Sequence, residues 1–185
     1  FVVMDEAFIA AGFQVDLASP GGAPPTMDKR SLDPAVVGED LVLRMRDWLA
    51  ANAARLASPM VLSDVNVARY DAVVIPGGHG PVEDLYKDPD MGRLLVQADR
   101  QAKVIAAVCH GPAALLSAAD EQGRWPFAGR RMTALSDEEE VEFGTAENAP
   151  WLLADTLRRR GAAYQQGPNW SVHVVQDGAL LTGQN

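Results

Sequence analysis

The sequence predicts an α/β fold, a doubly wound and mostly parallel sheet flanked by helices. Three observations predict it. Short β-branched apolar runs, Ala72 to Ile75 and Val104 to Val108, alternate with segments of helical apolar spacing. Those runs are continuous rather than alternating, as expected of strands covered by helices on both faces. Gly- and Pro-rich turns, 76–80 and 109–112, follow them directly, where open α/β sheets bind ligands.

A chain of 185 residues, 48% hydrophobic and 22% charged, fits one globular domain with a sizeable core. The net charge of -9 gives no electrostatic reason to bind phosphate backbones or anionic lipid. No apolar run approaches the ~20 residues of a membrane span, and the N-terminus lacks the layout of a signal peptide. A single cysteine excludes an intrachain disulfide and fits a reducing, cytoplasmic setting.

The elements follow in order. Val2 to Ala11 is expected as a helix through Val3, Ala7, Phe8 and Ala11, ended by Gly12, and Phe13 to Ala18 as a strand. In an alternating chain that helix follows a strand, which would lie before residue 1. The segment 19–31 is loop by composition. Glu39 to Leu56 is a helix with Leu43, Trp48, Leu49 and Leu56 as expected buried anchors, ended by Ser58-Pro59. After the strand 72–75 and its glycine turn, 91–102 reads as a helix, 104–108 as a strand and 112–119 as a helix. Segments 131–135, 163–165 and 172–175 are further strands, and 150–160 is a helix closed by Gly161. A strand over 179–182 runs into a terminal loop, so the expectation is one domain, 1–185, lacking its first strand and its final helix.

The chemistry lies at the strand ends. Val104 to Val108 runs into Cys109-His110-Gly111-Pro112, the pattern of a nucleophile elbow. A cysteine there faces a helix N-terminus and free backbone N–H groups, both of which favour thiolate, and the N–H of His110 can face an oxyanion. Pro76-Gly77-Gly78-His79-Gly80 leaves the neighbouring strand, where Gly77 and Gly78 let backbone approach a ligand and offer a second donor. His79 either touches substrate or hydrogen-bonds backbone, and His173, in an apolar pattern, reads as structural. The three histidines lack i,i+4 spacing, so no dedicated metal site and no cofactor is expected. The acidic run 137–142 is either a solvated face or part of the site. Trp48 and Trp170 read as core or rim packing, and Trp125 with Phe127 as the lining of a pocket or a dimer surface.

Tyr70 to Gly80 together with Ala106 to Pro112 resembles the ThiJ/PfpI superfamily, of the flavodoxin-like, class I glutamine amidotransferase-like fold. The likeness extends over nearly the whole chain, through 18–22, Asp28, Ser31, 136–140, 161–162 and 181–185, and the Cys-His-Gly-Pro elbow is similar to the heat-shock chaperone and glyoxalase III branch. The resemblance implies Cys109 as nucleophile, His110 as its partner, the N–H groups of Gly78 and His110 as oxyanion hole, and Glu140 as the acidic third member, with Asp137 and Glu139 as alternatives. It also implies a glutamate at the end of the first strand, which no residue here matches. The function implied is a glutathione-independent, glyoxalase III-like lyase turning methylglyoxal into D-lactate, a homodimer acting on a small aldehyde. The alternatives are a holdase chaperone or redox sensor, and a deglycase or other cysteine hydrolase at the same site.

Overall fold

The computed structural model describes residues 1–185 apart from the side chain of Asn148. It divides into two compact units, Phe1–Val65 and Asn66–Asn185.

In the first unit, helix α1 spans Val2–Ala10 and strand β1 Ala18–Ser19; helices α2 (Pro34–Val37), α3 (Glu39–Ala51) and α4 (Ala53–Ala57) precede strand β2, Met60–Val61. The strand expected over 13–18 shrinks to a two-residue parallel pairing, Ala18 with Met60 and Ser19 with Val61. Its partner is cut short because Pro59 has no N–H to donate and a 3₁₀ turn begins at Leu62. The helix expected over 39–56 breaks at Asn52, whose side-chain amide donates to the Trp48 carbonyl and competes with the helical ladder. Leu43, an expected anchor, is exposed, and Val42 with Trp48 carries the buried face instead. In α1, similarly, the buried positions are Val2 and Asp5 rather than the Val3 face. Asp5 is buried because Arg55 grips both its oxygens at 3.1 Å and also donates to the Val15 carbonyl.

The second unit is built on a four-stranded sheet in the order β3-β4-β8-β7: Ala72–Ile75, Val104–Val108, Leu180–Gly183 and Val174–Asp177. The first three strands are parallel and β7 is antiparallel to β8. Helices α5 (Gly80–Glu83) and α6 (Pro89–Arg100) join β3 to β4. Asp88 caps α6 by accepting the Met91 N–H, Pro89 sits where no donor is needed, and Met91, Leu94, Leu95 and Ala98 form one buried stripe. The helix expected over 112–119 is a 3₁₀ helix, Gly111–Ser117, buried over its first five residues. Beyond it lie the short parallel pair β5 (Arg131–Met132) and β6 (Ala163–Tyr164), with α7 (Asp137–Glu142) and α8 (Leu153–Arg159) between them. The strand expected over 131–135 stops at Met132 because the Thr133 N–H turns to the Thr182 hydroxyl rather than to a ladder carbonyl. The strand expected over 172–175 is displaced to 174–177, since a two-residue turn at Gly178-Ala179, with Gly178 at φ 59°, fixes the hairpin register. Trp125 and Phe127 belong to the core rather than to a pocket or dimer surface: both are buried, and the Trp125 indole donates to the Leu115 carbonyl. Trp48 is core as well, whereas Trp170 is about half exposed.

Candidate active site

The turn after β4 holds Cys109 at φ 61°, a left-handed conformation that a non-glycine residue adopts at a cost of roughly 1–3 kcal/mol. Backbone bonds on both sides over-determine it: the Cys109 N–H donates to the Gly183 carbonyl at 3.0 Å and the Leu135 N–H donates to the Cys109 carbonyl at 2.9 Å. The turn packs directly against the end of β3. A Cβ on Gly77 would sit 2.6 Å from the Cys109 Cβ, and one on Gly111 would sit 2.4 Å from the Ile75 carbonyl oxygen. Those two glycines are therefore required by close approach, and the glycine turn and the elbow form one structure.

His110 Nδ1 lies 3.6 Å from Cys109 Sγ, and His110 Nε2 lies 2.6 Å from Glu140 Oε2. The other Glu140 oxygen accepts the Thr145 hydroxyl. His110 and Glu140 are both buried and Cys109 is half-buried. Burial disfavours the His110 imidazolium, yet the hydrogen bonds and charges of Cys109 and Glu140 outweigh it and raise the group from 6.5 to about 9. For Glu140, burial acts upward, but His110, the Thr145 hydroxyl and the nearby His79 hold the carboxyl below its ordinary value. Cysteine, imidazole and carboxylate are thus connected in a line, with His110 charged at neutral pH.

The three acidic candidates have different partners. Ser136 and Glu139 form a reciprocal capping box at the start of α7. The fully buried Glu139 carboxylate also accepts the Trp170 N–H and the Asn185 amide, and these donors overcome its burial and hold it low. Asp137 pairs with Arg158. Only Glu140 reaches His110. The pattern Ser-x-x-Glu was readable in the sequence as a capping box and would have set Glu139 aside. Thr145, by contrast, had no local signal: it reaches Glu140 through the turn at Gly144.

Gly78 stands at φ 96°, and among the described residues neither its N–H nor that of His110 donates a hydrogen bond. The His79 ring lies 5.1 Å from the His110 ring, centroid to centroid. His79, His110 and Glu140 each bring one ligand atom into a group within 4.8 Å, a cluster that spacing along the chain does not reveal. His173 is away from this cluster, its ring packed against Gly167.

The sequence profile of the DJ-1/PfpI family matches residues 1–185. The chain belongs to the DJ-1/PfpI family. Among its relatives, the glutamine amidotransferase-like class 1 domain-containing protein 1 of Bos taurus is 32% identical over 176 residues, covering 95% of this chain and 76% of that protein. The protein/nucleic acid deglycase HchA of Pseudomonas aeruginosa is 30% identical over 189 residues, 95% of this chain and 62% of that one. The crystal structure of glyoxalase III from Candida albicans superposes with a TM-score of 0.83 at 24% identity, over 97% of this chain and 77% of that chain. That likeness shows the α/β fold of this DJ-1/PfpI protein.

Proposed function

We propose that this protein is a cofactor-independent, cysteine-dependent lyase of the glyoxalase III type, converting methylglyoxal and water to D-lactate without glutathione. The observation that carries the reading is the line Cys109–His110–Glu140 on a strained elbow beside two unengaged N–H groups. The Cys109 thiolate adds to the aldehyde carbon, the N–H groups of Gly78 and His110 receive the developing oxyanion, and the His110 imidazolium gives it a proton, leaving a hemithioacetal. Neutral His110 then takes the C1 proton to form an enediol, and protonation at C2 yields the lactoyl thioester. Water hydrolyses the thioester and frees the thiol. Glu140 holds the imidazole ring and offsets its charge at each transfer, a contribution of about 10²–10⁴-fold for a positioned acid–base group.

The test is lactate formation from methylglyoxal without glutathione, comparing the protein with Cys109→Ala. Turnover abolished by the substitution is expected. Equal lactate production by both proteins, or none by either while both are folded, would reject the reading.

A second reading, deglycation, is favoured by the 30% identity to HchA over 95% of this chain. It uses the same thiohemiacetal-type adduct but starts from a hemiaminal and releases an amine. Recovery of free amine from a preformed methylglyoxal adduct, faster than spontaneous reversal, together with no consumption of free methylglyoxal, would select it.

A further inference from the structure

We propose that His79, His110 and Glu140 form a seat for one divalent transition metal ion of the zinc type, and that filling it switches the cysteine chemistry off. The switching half rests on the proposed lyase chemistry; the binding half does not.

The donors come from three separate places, the turn after β3, the turn after β4 and helix α7, and their ligand atoms lie within 4.8 Å of one another. Around a tetrahedral zinc ion with bonds of about 2.1 Å, neighbouring ligand atoms stand about 3.4 Å apart. The three atoms therefore need shifts of an ångström or so, which the His110–Glu140 pair, now at 2.6 Å, meets by opening around the ion. Two imidazoles and one carboxylate suit zinc and its neighbours rather than magnesium or calcium, which prefer oxygen throughout. His110 and Glu140 are buried and His79 is half-buried, so the ion would be partly withdrawn from water with one open position. The seat also has outer support, since the Thr145 hydroxyl holds the second Glu140 oxygen and leaves the first to bind through one atom.

Occupancy has a definite chemical consequence. The His110 nitrogen that faces Glu140 is Nε2, and the one that faces the sulfur is Nδ1. A neutral imidazole bound to metal through Nε2 carries its proton on Nδ1. That ring can no longer accept a proton on the side where the thiol and the substrate lie, and Glu140 is diverted to the metal. Zinc would thus act as a reversible inhibitor without touching the sulfur.

The experiment is competition for Zn²⁺ against a chromophoric chelator at neutral pH, with the wild-type protein, His79→Gln and Cys109→Ala, together with the absorption spectrum of the wild-type protein loaded with Co²⁺. The expected result is one zinc per chain, affinity lowered at least about tenfold by His79→Gln, unchanged in Cys109→Ala, and cobalt d–d bands without a thiolate-to-metal charge-transfer band. No stoichiometric binding, binding lost in Cys109→Ala, or a thiolate band in the cobalt spectrum would overturn the proposal. The cobalt spectrum needs no variant, so a misfolded His79→Gln protein would not shelter it. Turnover is measured in parallel. Zinc bound as described, with no methylglyoxal turnover by the zinc-free protein, would sink the lyase reading alone, whereas zinc-free turnover that added zinc leaves within twofold would refute the inhibitory switch.

Discussion

His110 is the residue on which the site's electrostatics turn, because it sits between two potential anions. Cys109 and Glu140 together raise its pKa to about 9 against the effect of burial. Glu140→Gln keeps the shape and removes the charge while Cys109 stays, so the His110 midpoint is expected to fall from about 9 toward 6.5, as seen in an NMR titration of the ring nitrogens. Turnover in that variant is expected to drop by about 10²-fold or more. A midpoint still near 9 would show that the carboxylate does not sustain the charge. Gly77 is the other decisive residue, since its missing side chain is what lets the glycine turn lie on Cys109. Gly77→Ala would push on the Cys109 Cβ from 2.6 Å, and turnover should fall more than the melting temperature does. Unaltered turnover would mean that the elbow has room to give.

At the scale of elements, what the sequence disclosed follows from how local each signal is. β3, β4 and α6 were legible because continuous β-branched runs and an amphipathic stripe act within a few residues of themselves. The elbow was legible for the same reason, Cys109-His110-Gly111-Pro112 being contiguous. β1 and β5 are shorter than their local patterns predict because a strand's length depends on its partner: Pro59 offers no N–H, and the Thr133 N–H goes to the Thr182 hydroxyl. The seating of Glu140 against His110, thirty positions apart, needed the fold, although the capping box of α7 narrowed the choice. The buried Asp5 was invisible, because only the distant Arg55 explains it. Here Asp5→Ala should destabilise the first unit by about 2 kcal/mol, less than the 3–5 kcal/mol for a fully buried pair because Arg55 is partly exposed. Chemical denaturation followed by Trp48 fluorescence would read it, and a loss below about 0.5 kcal/mol would mean that water replaces the pair.

For the whole molecule, the same groups set opposite limits on the pH range of stability. Glu139 and Glu140 have folded values below 4.5, so their contribution is present above that ordinary value and is lost as pH falls through the lower folded ones. His110 works the other way. Its folded value is above its unfolded one, so its contribution is complete below about 6.5 and disappears as pH rises through about 9. The net charge of -9 adds self-repulsion on the alkaline side, where further protons leave. Stability measured by urea denaturation is therefore expected to be greatest between about pH 5 and 6.5 and to decline toward pH 9. Added salt should soften the part due to net charge, since exposed charges are screened, while leaving the buried His110 part in place. Glu140→Gln separates the two contributions: the salt-insensitive fall between pH 6.5 and 9 should flatten in that variant. A decline equally steep in wild type and variant would assign the alkaline limit to net charge instead of to the Cys109–His110–Glu140 line.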